Sequence, residues 1–124
     1  MMERLHMRFE FDGLRLGPGK ARLLELIRDR GSISAAGRAM GMSYKRAWSL
    51  VEEMNAAFAL PLVVSVRGGT KGGGAEVTAE GVSVLAAYRR LEAILLAEGA
   101  AEIAVIRDAL RKSSPIRETT GLGG

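Results

Sequence analysis

Behind Ser43, a candidate helix N-cap, the chain reads Tyr44-Lys45-Arg46-Ala47-Trp48-Ser49. Hydroxyls and cations of this kind hydrogen-bond phosphate oxygens and base edges. On a helix turning about 100° per residue, Lys45, Ser49 and Glu52 lie opposite an apolar stripe of Ala47, Leu50, Val51, Met54 and Phe58. Arg46 sits on one flank of that outer face, and Tyr44 and Trp48, four residues apart, share the other. One helix end therefore offers a hydroxyl cap, two cations, a phenol and free backbone N–H groups, while the acids Glu52 and Glu53 follow one to two turns later. This segregation suits a helix whose N-terminus points into a DNA major groove. The Tyr44 hydroxyl can reach a phosphate while its ring lies flat. Trp48, beside the apolar stripe, is expected to pack under the helix and orient it.

Other chemistries find little support. The run Arg67-Gly68-Gly69-Thr70-Lys71-Gly72-Gly73-Gly74 is rich in glycine, but it lacks the Gly-Lys-Ser/Thr ending of a phosphate-binding loop, and no helix begins directly after Gly74. It reads instead as the tip of a hairpin, with Arg67 and Lys71 reaching phosphates or an adjacent minor groove. The chain has no Cys, so thiolate metal sites, disulfides and Cys nucleophiles are excluded. His6 is the single histidine and stands among strand residues, and Glu10, Asp12, Glu25 and Asp29 are scattered as surface and cap residues are. Neither an enzyme nor a metal nor a cofactor is expected.

The elements that must position these side chains follow from periodicity and punctuation. Leu5 to Phe11 alternates apolar and polar residues as a strand, Asp12-Gly13 offers a turn, and Leu14-Arg15-Leu16 a short return. Pro18 opens an amphipathic helix that stops at Gly31. A short helix of small residues, Ala35 to Met40 with Ser34 as its cap, ends at Gly41, and the Ser43-capped helix follows. Two helices joined by so tight a turn describe a helix-turn-helix. The strand Leu62–Val66, the glycine loop and the strand Ala75–Val77 add a β-hairpin wing. Thr78 caps a long helix from about Ala79 to Glu98, which continues beyond Gly99 from Ala100 to Lys112. The fold expected is mainly α with a β-hairpin wing, a winged helix-turn-helix with a long C-terminal dimerisation helix. Its divisions are 1–78 for DNA binding, 79–112 for dimerisation and 113–124 as a flexible tail.

Bulk properties agree with one small domain. The 124 residues are 48% hydrophobic and 26% charged, which supplies enough apolar surface for a core. The net charge of +4 resides in residues 1–78, which hold 12 Lys/Arg against 8 Asp/Glu, whereas 79–124 balance at 6 against 6. No apolar run is long enough to span a membrane, and the N-terminus lacks the apolar stretch of a secretory signal, so a cytoplasmic location is expected.

Several segments together resemble one family. These are Gly31-Ser32-Ile33-Ser34-Ala35-Ala36, Gly41-Met42-Ser43-Tyr44-Lys45-Arg46-Ala47-Trp48, Glu53-Met54-Asn55, Gly68 to Ala75 and Thr78-Ala79-Glu80-Gly81. Over roughly residues 15–95 they are similar to the N-terminal domain of the ModE family, the bacterial molybdate-responsive transcriptional regulators, a domain related to that of LysR-type regulators. The resemblance implies a winged helix-turn-helix that dimerises and binds a palindromic operator on double-stranded DNA. Carried over residue by residue, it implies DNA contacts from Ser32, Ser34, Ser43, Tyr44, Lys45, Arg46, Ser49, Arg67, Thr70 and Lys71. Family members carry C-terminal molybdate-binding domains, and the sequence ends before these, so a ModE-type regulator lacking them is expected.

Between Val82 and Leu96, apolar residues spread around most of the long helix, more than one core can cover. Val84, Tyr88, Leu91 and Leu95 are therefore expected at a two-fold dimer seam. The competing expectation has Ile103, Ile106 and Leu110 fold back over that surface within one chain. A second functional reading is a protein-interaction module that heterodimerises with and modulates a full-length regulator.

Overall fold

The computed structural model describes residues 4–67 and 74–111. Its elements are β1 (Phe9–Phe11), β2 (Leu14–Leu16), α1 (Pro18–Arg30), α2 (Ile33–Ala39), α3 (Tyr44–Ala57), β3 (Val63–Val66), β4 (Gly74–Val77), α4 (Ala79–Glu98) and α5 (Ala100–Ala109). This is the mainly α winged-helix arrangement expected. Contacts group the chain into two compact units, Met1–Ala93 and Ile94–Gly124.

In the first unit, α1 forms the centre because its sequence is apolar on more than one side. Leu23, Leu24 and Ile27 are fully buried, with Ala21 and Leu26 close behind. Pro18 starts the helix where no amide donor is needed, and Gly31 ends it in left-handed geometry (φ 73°), its N–H donating to the Ile27 carbonyl.

The cap of α2 is Ser32, two residues earlier than the sequence indicates. Ser32 has extended backbone, and its Oγ accepts from the Ala35 amide at 2.9 Å. Ser34 already lies inside the helix, where its Oγ accepts instead from the Arg38 guanidinium at 3.1 Å. The small residues of α2 are explained by proximity. A Cβ on Gly37 would lie 2.9 Å from the Ala47 Cβ, so α2 and α3 approach closely there. The turn closes with Met42 N–H donating to Gly37 and Gly41 N–H donating to Arg38, around a left-handed Gly41 (φ 74°).

Helix α3 begins as expected, with Ser43 Oγ accepting from the Arg46 amide at 3.0 Å. Ala47, Leu50, Val51 and Met54 are buried, while Phe58 ends the helix with extended backbone and is only half-buried. Near the end of α3, Asn55 faces the start of the wing. Its side-chain oxygen accepts from the Leu62 and Val63 amides at 2.8 and 3.2 Å, and its amide donates to the Val63 carbonyl at 3.0 Å.

The wing strands are antiparallel, with Val63 opposite Val77 and Val66 opposite Gly74. Three further contacts fix them. The Ala75 amide donates to the Gly31 carbonyl at 3.0 Å, the Thr78 amide donates to Leu62 at 2.9 Å, and the Thr78 hydroxyl donates to Pro61 at 2.7 Å. The same Thr78 Oγ1 accepts from Gly81, which caps α4. A Cβ at Gly81 would meet the Leu62 carbonyl oxygen, so only glycine lets α4 start this close to the wing.

The N-terminal hairpin pairs Phe9 with Leu16 and Phe11 with Leu14. It is shorter than the alternation from Leu5 implies, since β2 has only three residues before Gly17 and Pro18 end it. In α4, Gly81, Leu85 and Tyr88 face the core. Tyr88, expected at a dimer seam, is 2% exposed and donates its hydroxyl to the Met7 carbonyl. It has no surface left for a partner. Val84, also expected there, is half-buried and packs on the same core.

Arg89 of α4 holds Glu25 of α1 through two hydrogen bonds of 2.8 and 3.0 Å, and also reaches Glu92 at 2.8 Å. The Arg89 hydrogen bonds hold the Glu25 carboxyl below its ordinary pKa, against an opposing effect of burial. A carboxyl lowered in the folded state stabilises above its unfolded pKa, and that stability is lost as pH falls through the folded value. Glu25→Gln should therefore cost about 1 kcal/mol at neutral pH, since Arg89 remains partly solvated. The difference from wild type should shrink as pH falls below the ordinary glutamate range, which urea denaturation across a pH series would measure.

Candidate nucleic-acid interface

The helix-turn-helix exposes its second helix along the expected contact residues. Tyr44, Lys45, Arg46 and Ser49 are all exposed on α3. Many cations elsewhere are paired: Lys20 with Glu53 at 3.3 Å, Arg28 with Asp29 at 3.1 Å, and Arg8 with Glu10 at 3.4 Å. Lys45, Arg46 and Arg67, by contrast, have no ion-pair partner among the described residues. Glu53 is paired with Lys20 of α1, and Lys45 and Arg46 stand at the positive end of the helix dipole. Such a surface attracts a polyanion.

Ser32 and Ser43 spend their oxygens on capping bonds, but a capping serine keeps its hydroxyl proton to donate. Ser32 and Ser34 of α2, Tyr44 and Trp48 of α3, and Ser65 and Ala75 of the wing surround one open notch of about 260 Å³. Lys45, Arg46 and Ser49 are not among its lining residues. Arg67 follows directly on β3, whereas Thr70 and Lys71 lie outside the described residues.

Trp48 departs from expectation. It is 45% exposed and lines the notch, as Tyr44 does at 55%. Ala47 takes the buried position facing α2, and the close approach at Gly37 leaves no room beneath for an indole. Ser65 escaped sequence reasoning altogether. Its only signal is to be the single hydroxyl residue in the run Leu62-Val63-Val64-Ser65-Val66; it shares a strand face with buried Val63, yet at the far end of β3, opposite Ala75, it is exposed.

No family model matches the chain. Individual proteins do match its N-terminal part. The molybdenum-pterin-binding protein MopB of Rhodobacter capsulatus is 46% identical over 84 residues, which are 68% of this chain and 31% of that protein. The molybdenum transport protein ModE of Azotobacter vinelandii is 44% identical over 80 residues, 64% of this chain and 30% of its own length. The DNA-binding transcriptional dual regulator ModE of Escherichia coli (strain K12) is 39% identical over 77 residues, 62% of this chain and 29% of its length. The chain thus spans about a third of the length of the curated relatives it matches. Over its N-terminal two thirds or so, the chain is similar to these molybdenum-related proteins and matches the N-terminal domain of the ModE family.

Proposed function

We propose that this chain is a sequence-specific, DNA-binding transcriptional regulator of ModE type, acting as a homodimer on a palindromic operator. The observation that supports this reading most is the pair of unneutralised cations, Lys45 and Arg46, on the first turn of the second helix of a helix-turn-helix. In this reading the N-terminus of α3 enters the major groove, Lys45, Arg46 and Ser49 face base edges and phosphates, and Arg67 with Lys71 of the wing holds the flanking backbone. A relative named as a DNA-binding regulator supports the same function. The molybdenum in the names of the Rhodobacter and Azotobacter relatives supports target genes concerned with molybdenum, and genomic footprinting of bound sites tests that link.

The groove-and-wing arrangement makes a specific expectation. Arg46→Ala should weaken binding to the selected sequence by about 1–3 kcal/mol, with little change on unrelated duplex. Lys71→Ala should weaken binding to every sequence and lower the slope of log affinity against log salt by about one unit. A salt titration with equal affinities for wild type and both variants would remove this arrangement.

A further inference from the structure

The notch between α3 and the wing has a chemistry unlike the surface around it. Among the described residues no charged side chain lines it, and it gathers the hydroxyls of Ser32, Ser34, Tyr44 and Ser65 and the indole of Trp48. Among the described residues, the Trp48 indole N–H and the Tyr44 and Ser65 hydroxyls have no hydrogen-bond partner. Its volume of about 260 Å³ falls below the range of roughly 300–1,000 Å³ usual for sites that engulf a whole small molecule. It is open, polar and small, which fits a segment of a longer ligand crossing it.

We propose that this notch is a neutral seat for one sugar-phosphate strand of duplex DNA, with Trp48 and Ser65 as positioning residues that fix the register of α3 in the groove. The inference rests on the DNA-binding reading above and adds residues that it does not use. The notch adjoins the cationic face of α3 on one side, and Arg67 follows the β3 strand on the other. A strand leaving the major groove toward the wing must pass between these two. Neutral N–H and O–H donors suit that path because they orient phosphate oxygens without cancelling their charge. The flanking cations release counterions, and the seat does not. Trp48 also presents a ring edge that packs against deoxyribose while its N–H faces the phosphate.

This division gives the seat a signature in salt. The probe is a fluorescent duplex enriched from a random pool on the full-length wild-type chain. Trp48→Phe and Ser65→Ala should each weaken binding about tenfold, the loss of one hydrogen bond from an uncharged donor to a phosphate oxygen, at every salt concentration. The slope of log affinity against log salt should stay at the wild-type value for both, whereas Lys45→Ala should lower it by about one unit. A second readout is direct, because Trp48 is the chain's single tryptophan. Its quenching by acrylamide should fall when the duplex binds. Bound duplex with an indole as accessible as in the free protein overturns the seat alone, and so do wild-type affinities for both variants. Reduced slopes in the two neutral variants overturn it as well, since they mean that cations were displaced. A wild-type chain with no affinity for any duplex at low salt overturns the DNA reading and the seat together.

Discussion

Asn55→Leu is expected to lower the free energy of unfolding by about 3 kcal/mol, although it replaces one half-buried side chain with another of similar size. The cost arises in the backbone it leaves behind. Asn55 satisfies the Leu62 and Val63 amides and the Val63 carbonyl. Leu62 and Val63 are buried, so water reaches their peptide groups poorly once the partner is gone. Each orphaned group costs roughly 1–3 kcal/mol, reduced here because the contact is only partly buried. Asn55→Asp keeps the acceptor and loses the donor, so it should cost less than Asn55→Leu. Urea denaturation monitored by Trp48 emission would rank the two. An Asn55→Leu loss under 1 kcal/mol would mean that the strand start rearranges to reach water. The consequence for function follows from position: α3 and the wing are joined here, so loosening this joint should also weaken DNA binding without touching any residue of the interface.

That joint illustrates what a sequence does and does not disclose. The buried stripe of α3, the Ser43 cap and the Gly41 turn are local events, governed by residues three or four apart, and all were legible. The role of Asn55 depends on a strand that returns seven and eight residues later, which no helical pattern encodes. The cap of α2 was misplaced by two residues because Ser32 and Ser34 are both competent, and only backbone geometry chooses between them. An indole beside an apolar stripe, as Trp48 is, fits either side of the stripe's edge, so local pattern does not place it. The decision was made by Gly37 and Ala47, whose contact brings α2 too close for a large side chain. Tyr88 is the converse case, an aromatic on an all-round apolar helix that is buried in its own core. A helix with apolar residues on several sides does not reveal how wide an arc its own core takes, and here the core reaches Leu85 and Tyr88. The tip of the wing, with Thr70 and Lys71, lies outside the described residues.

The proposed dimer then depends on apolar residues further along the chain. In the unit Ile94–Gly124, no described residue is buried. Leu95 at the end of α4 is 44% exposed, with Ile94 and Leu96 similar, and Val105 and Ile106 of α5 are 70% and 65% exposed. Leu110 is exposed as well, and Ile103 is half-buried. Exposed aliphatic area of this extent, with no buried residue among those described, gains stability when a partner covers it. Two-fold pairing of identical chains is the commonest arrangement, and it would also set two α3 helices against the two halves of a palindrome. With Tyr88 and Val84 committed to the core, the seam is expected to use Leu95 and the α5 residues, with the half-buried Leu91 at its margin. Wild type should sediment as a dimer at micromolar concentration. Leu95→Glu or Ile106→Glu should weaken that dimer at least about 100-fold, because each places an unpaired carboxylate in the seam and symmetry counts it twice. The first unit should melt unchanged in these variants, since neither residue belongs to its core. Their affinity for a single half-site should persist, while the gain from a second half-site in the same duplex should vanish. A wild-type chain that sediments as a monomer across this concentration range sinks the seam, and the regulator would then meet its operator one half-site at a time.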